Sequence, residues 1–306
     1  MRTYDIVGIG EAIIDTVESK KKELKNPGGA PLNVIATCSK LGFSTAYITA
    51  IGNDDNGKII EKCYNDFKID KSLLTISNDI RTCVAKIKID KKGERSFNFI
   101  KNNGSFLSLP NKLEDFNSKV LVCGTLCLFN ENSRNLVLSY IKECKKRKML
   151  IAFDANYRKT EMPLFIYMQI VREIIPFVDI LKLSLDEAKI ITSSDDINEI
   201  RHILMDNYKS DIIISLGKDG AIFINRDFSI YQKGKKVKPI DTTGAGDILF
   251  GTFLSSLIKN DLSYNNKILN PAVYKRALKQ AVINSALSTK QYGAVSAINS
   301  IKKSLK

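Results

Sequence analysis

"DILKLSLDEAKIITSSDDINEIRHILMDNYKSDIIISLG" (residues 179–217) begins and ends on a short apolar run, with two helical patterns between. Residues 179–184 and 211–217 are rich in Ile and Leu and stop at polar residues or glycine, as strands buried on both faces do. The intervening 185–192 and 197–208 carry apolar residues at helical spacing. A buried strand, a helical crossover and another buried strand make a unit of parallel sheet.

The same alternation extends in both directions. "YDIVGIG" (4–10), "AYITAIG" (46–52), "KVLVCG" (119–124) and "MLIAFD" (149–154) read as further buried strands. Residues 31–41, 131–148 and 164–175 read as helices, and after Gly246 the chain turns helical almost to its end. The expected fold is α/β, a three-layer sandwich around a mostly parallel sheet, forming a single domain over 1–306. One segment departs from the alternation: "TCVAKIKIDKKGERSFNFI" (82–100) is two period-two runs around Asp90, Lys91, Lys92 and Gly93, a hairpin signal. With residues 12–17 it predicts a small antiparallel flap outside the main sheet, drawn from about 11–30 and 81–101. A flap this small must lean on something, either a substrate or a second subunit.

Composition narrows the function. The 306 residues are 44% hydrophobic and 26% charged, those of an ordinary globular protein. No apolar run approaches a membrane span, and the first residues read as a strand rather than a leader, so a cytoplasmic protein is expected. Six scattered cysteines fit free thiols in a reducing compartment. The net charge of +14 comes from lysines spread along the chain, which suits anionic small molecules better than nucleic acid. His202, the only histidine, lies in an amphipathic stretch, so chemistry needing two histidines is excluded and any general base is a carboxylate, lysine or tyrosine.

Glycine-rich turns carry the rest. "GIGEAI" (8–13) lacks the third glycine and the helix of a dinucleotide site, and no phosphate-binding G-x-x-x-x-G-K-[ST] occurs. "DTTGAGDILFG" (241–251) places Gly246 and Asp247 at the start of a helix whose apolar residues follow. Unpaired N–H groups and the positive dipole end make an anion site there. A carboxylate among those amides suits a base that deprotonates an attacking hydroxyl during phosphoryl transfer. In "NPGGAPLNVIATCSKLG" (26–42), Gly28 and Gly29 precede Pro31 at a first helical position, and Asn33 lies in the first turn. Such a start can hold sugar hydroxyls, or simply begin a helix.

Taken together these stretches resemble the ribokinase-type (PfkB) carbohydrate kinase family. "GGAPLNV" with Gly42 and Gly52 matches its N-terminal signature and "DTTGAGDILFG" its C-terminal one. "FDANYR" (153–158), "LKLSLDEA" (181–188) and "SLGKDGA" (215–221) fall between them in order. The resemblance implies ATP-dependent phosphorylation of a sugar hydroxyl, with a β-flap lid. It makes Asp247 the base and the amides of Gly244, Ala245 and Gly246 the anion hole. Asp15, Gly28, Gly29, Asn33 and Arg158, together with Asp247, would hold the sugar. Ser184, Ser215, Gly217, Gly220, Gly244, Gly246 and Asn284 would line the ATP. Glu187 would organise Mg2+ through water, and Asp241 and Thr243 would hold a monovalent cation, commonly K+.

The chain departs from the pattern at Ile35, where a small residue is usual, and at Ser184, where asparagine is common. Lys101, Ser105 and Phe106 stand where fructokinase-like members usually carry arginine and an Ala-Asp pair. "GEAIID", "GGAPLNV" and "GERSFNF" look most like fructokinase, with 2-keto-3-deoxygluconate kinase next and ribokinase third. A kinase-derived binding protein without turnover is the reading from another class. Sugar and ATP are the expected partners, without nucleic acid or membrane, and a homodimer through the flap is the expected assembly.

Overall fold

Buried strands alternate their side chains between two faces, and the computed structural model shows where each face goes. It describes all residues except 19–22, 90–94, 101–114, 267, 269 and 303–306. The strands are β1 (Arg2–Ile9), β2 (Ile13–Glu18), β3 (Glu23–Gly28), β4 (Thr45–Gly52), β5 (Leu74–Ser77), β6 (Cys83–Ile89), β7 (Arg95–Ile100), β8 (Phe116–Cys123), β9 (Leu150–Asp154), β10 (Ile180–Ser184), β11 (Asp211–Ser215), β12 (Gly220–Ile224) and β13 (Ser229–Lys233). The helices are α1 (Ala30–Lys40), α2 (Asp55–Phe67), α3 (Glu131–Lys146), α4 (Leu164–Ile174), α5 (Leu185–Thr192), α6 (Ile197–Asn207), α7 (Ala245–Lys259), α8 (Pro271–Ser288) and α9 (Ala294–Ala297).

Nine strands form the main sheet in the order β13-β12-β11-β10-β9-β8-β1-β4-β5. All its pairs are parallel except those of β12, which runs against both neighbours. Ile6, Val120, Val122 and Ile213 point into one core with residues of α1, α2, α7 and α8. Their chain neighbours Val7, Leu121, Cys123, Ile212 and Ile214 point into the other, with α3 to α6. The period of two within each strand thus builds both helix layers of the expected sandwich.

Two features beyond the expected set have visible causes. α2 starts on an Asn-Gly dipeptide that reads as a turn, yet Asp54 caps it by accepting the Gly57 N–H at 2.8 Å. The β12–β13 hairpin turns at Asn225, whose side-chain oxygen accepts the N–H groups of Asp227 and Phe228 at 3.0 and 2.8 Å.

The second sheet has the order β3-β2-β6-β7 and lies within the two segments expected for the flap. The antiparallel expectation holds for β2 with β3 and for β6 with β7, while β2 runs parallel to β6. A crossover through α1, β4, α2 and β5 separates β2 from β6, so parallel pairing is open to them. The expected hairpin turn at 90–93 and the departures at Lys101, Ser105 and Phe106 lie outside the described residues.

All six cysteines are buried free thiols. His202 is exposed on α6. Among the described residues no helix is long and apolar enough to cross a membrane.

Candidate active site

Parallel strands open their C-terminal ends on one edge of a sheet, and ligands of open α/β sheets sit outside that edge. Here β9 ends at Asp154, β10 at Ser184 and β11 at Ser215, with Ser184 and Ser215 in register across neighbouring strands. The start of α1 supplies Asn33 and the start of α7 supplies Asp247.

The two helices meet at the centre. The Asn33 side-chain amide donates to Asp247 Oδ2 at 2.7 Å, and both residues are buried. Burial lifts the Asp247 carboxyl above its ordinary range, opposed by the Lys182 ammonium, the Asn33 hydrogen bond and the Arg158 charge. Asp247 therefore sits where its affinity for a proton is increased and its orientation is fixed.

Gly244 caps α7 in the left-handed region at φ 76°, and a β-carbon there would come within 2.6 Å of Ala294 Cβ. Only glycine makes this turn without strain. One of the three expected open amides is engaged, because Ala245 N–H donates to the Thr242 carbonyl at 3.2 Å. The tightness of the turn itself closes that bond. Among the described residues the N–H groups of Gly244, Gly246 and Asp247 have no acceptor, so the open end of the helix lies around the carboxylate.

Behind this turn lies a charged cluster that sequence reasoning missed. Lys182, in β10 between fully buried Leu181 and Leu183, places Nζ 2.9 Å from Asp154 Oδ1, with both side chains nearly inaccessible. Burial raises Asp154 to about 6, and the ammonium beside it opposes that rise. Burial works against the lysine's charge, but Asp154, Glu187 and Asp247 outweigh it and raise its pKa. The signal was a charged residue inside an otherwise apolar buried strand, within a motif already singled out for Glu187.

Glu187 closes a capping box with Ser184: its Oε2 accepts Ser184 N–H at 2.7 Å while Ser184 Oγ accepts Glu187 N–H at 3.2 Å. Its Oε1 accepts Tyr157 N–H at 2.8 Å, which fixes the loop carrying Arg158. Each carboxylate oxygen keeps a lone pair for a further donor.

Of the expected sugar residues, Asp15 and Gly28 lie on the four-stranded sheet and Gly29 directly follows it. Asp15 on β2 covers Gly28, where an added β-carbon would lie 2.5 Å from Oδ2. Glu11 is a further residue that sequence reasoning missed: its Oε1 accepts the Ala30 N–H at 3.2 Å and caps α1 in place of Gly29, which has no side chain. Its burial pushes the carboxyl from 4.5 up to about 7, with Arg158 pulling it down and Asp247 pushing it up. Among the described residues Glu11 Oε2, Asn33 Oδ1 and Asp154 Oδ2 are buried acceptors without a donor. A ligand rich in hydroxyl groups would supply what they lack.

Asp241 accepts the N–H of Thr243 at 2.8 Å and of Gly293 at 2.9 Å, a bridge between the approach to α7 and the approach to α9. Gly217 faces open space beyond β11, whereas Gly220 packs against the Gln232 carbonyl. Asn284 is wholly buried, and its carboxamide accepts Lys302 N–H at 3.0 Å and approaches Thr252 Oγ1 at 3.4 Å. In this structure that side chain ties α8 to the C-terminal segment.

Comparison with known proteins gives consistent matches over nearly the full length. The model of the pfkB family of carbohydrate kinases matches residues 3–301. Probable fructokinase-5 of Arabidopsis thaliana is 30% identical, covering 96% of this chain and 94% of its own. Aminoimidazole riboside kinase of Salmonella typhimurium is 27% identical, with 95% and 90% covered. A crystal structure of fructokinase from Vibrio cholerae O395, with fructose, ADP and calcium bound, has a TM-score of 0.84 at 28% identity and covers 96% of both chains.

Proposed function

Because the chain belongs to the pfkB family of carbohydrate kinases, we propose that it transfers the γ-phosphoryl group of ATP to a hydroxyl of fructose. The Asn33-clamped carboxylate of Asp247 beside open helix amides carries this reading. Asp247 accepts the proton of the attacking hydroxyl, while the amides of Gly244 and Gly246 face the charge on the phosphoryl oxygens. Proton removal comes late in a loose phosphoryl transfer, so a carboxylate is basic enough.

Asp15, Gly28, Gly29, Asn33 and Arg158 hold the sugar, and its hydroxyls satisfy the acceptors that the protein leaves without donors. The four-stranded sheet carrying Asp15 and Gly28 acts as the lid, and the same sheet is the place for a homodimer contact. Ser184, Ser215, Gly217 and Gly220 lie on the nucleotide side. A divalent ion fits here without a cage of its own: among the described residues no three potential ligands converge on a metal, and Mg2+ is commonly held by few carboxylates plus phosphate oxygens. Glu187 would hold it through water, and the ion would supply charge neutralisation on the phosphates. Asp241 and Thr243 would hold K+.

A second reading, 2-keto-3-deoxygluconate, draws on Arg158, whose charge reaches both Glu11 and Asp247 and would pair with an acidic sugar. The relative that phosphorylates aminoimidazole riboside adds a ribosyl acceptor to the panel. A coupled ATP-consumption assay over fructose, ribose, 2-keto-3-deoxygluconate and aminoimidazole riboside decides among them. Turnover with fructose at least about tenfold more efficient than with the others supports the proposal, and a preference for another sugar replaces it. No turnover with any would favour a kinase-derived binding protein.

A further inference from the structure

A lysine in the middle of a buried strand is expensive. Its ammonium loses water, and a hydrophobic residue in the same place, with another opposite it, would commonly be as stable or more so. Lys182 nevertheless sits between two fully buried leucines, compensated by Asp154 from the neighbouring strand. Its placement carries a second cost. A β-carbon on Gly246 would lie 3.2 Å from Lys182 Nζ, so the ammonium abuts the first turn of α7, the positive end of that helix. Stability alone accounts for neither cost, and both bring a fixed positive charge beside Asp247.

We propose that Asp154 and Lys182 are a charge-positioning pair for Asp247: Lys182 keeps the Asp247 carboxylate ionised inside a buried site, and Asp154 anchors Lys182 and moderates its effect. The inference deepens the phosphotransfer reading and rests on it in taking Asp247 as the base. The charged groups acting on Asp247 or sharing its surroundings are Lys182 on β10, Asp154 on β9, Arg158 in the loop after β9 and Glu11 after β1, with Glu187 on α5 acting on the pair. Of these, Lys182 opposes the burial of Asp247 most strongly, ahead of the Asn33 hydrogen bond and of Arg158.

The pair predicts opposite signs for its two halves. Lys182→Met removes a cation and leaves two anions, so the acid limb of the kcat/KM profile should move to higher pH by about one unit or more. Asp154→Asn removes an anion and leaves the cation, so the limb should move to lower pH. The double variant should lie near the wild type, and Lys182→Arg should leave the limb in place. The independent readout is the Asp247 carboxyl titration, followed by 13C NMR in the full-length protein without substrate and assigned with Asp247→Asn. Single variants that move this titration in the same direction, or leave it unmoved, overturn the pair. Should Lys182→Met not fold, Asp154→Asn decides: a downward shift supports the pair and an unmoved or upward one overturns it. An NMR titration that responds with opposite signs in a protein without phosphotransfer would uphold the pair and sink the proposed reaction, so the two failures are distinguishable.

Discussion

The carboxamide of Asn33 and the carboxylate of Asp247 are hydrogen-bonded at 2.7 Å across 214 positions of sequence, joining the first helix to the seventh. Replacing Asp247 by Ala is expected to lower kcat by at least about a hundredfold, as loss of a general base does, with ATP affinity nearly unchanged. Steady-state kinetics and nucleotide titration check both, and wild-type turnover would remove Asp247 from the reaction.

Asn33→Ala should act more mildly, by about tenfold in kcat, because the base survives but loses its orientation. The sugar KM should rise with it, since the same side chain is assigned to the sugar. Parallel measurement of kcat and KM tests this, and a change confined to the KM of ATP would place Asn33 elsewhere.

Glu11 sets a pH dependence of stability. Its carboxyl is raised by burial from 4.5 to about 7, so the folded protein binds its proton more tightly than the unfolded chain does. The contribution is fully present below pH 4.5 and is lost as pH rises through about 7, to the order of 3 kcal/mol. Glu11→Gln keeps an oxygen for Ala30 N–H and removes the titration. Urea unfolding at a series of pH values should show the variant gaining on the wild type between pH 5 and 8, and parallel curves would refute the assignment.

Gly244→Ala should destabilise the protein by about 1–3 kcal/mol, since the residue is left-handed and Ala294 occupies the space of a β-carbon. Urea unfolding measures the loss. Because this turn orients the α7 amides, turnover should fall as well, and an unchanged kcat would mean that they lie away from the reacting phosphate.

Activity should require Mg2+ and respond to K+, with the K+ response weakened in Asp241→Asn. Titrating each cation into enzyme stripped of divalent ions by chelation and of K+ by dialysis tests this. Indifference to K+ would retire the cation role and leave Asp241 a structural residue that accepts the Thr243 and Gly293 N–H groups.

Buried strands were the legible part of the sequence, because runs such as Ile212–Ile213–Ile214 serve both cores at once and need no partner to be recognised. α2 was hidden by its Asn-Gly start, and the β12–β13 hairpin by the glycines before it. The parallel pairing of β2 with β6 depends on what lies between them in space, which periodicity does not carry. In the site, Asp247 and Asn33 could be singled out by their positions at helix starts. Asp154, Lys182 and Glu11 were not, although all three lie inside quoted motifs, because a buried charge is fully intelligible only with its partner. For Lys182 that partner is 28 residues away on another strand.

Since the α1 and α7 termini supply Asn33 and Asp247 respectively, no fragment ending before Gly244 can contain this hydrogen-bonded pair, however well its strands pair. During synthesis every described strand of the main sheet emerges before α7, the helix that brings Asp247 to Asn33.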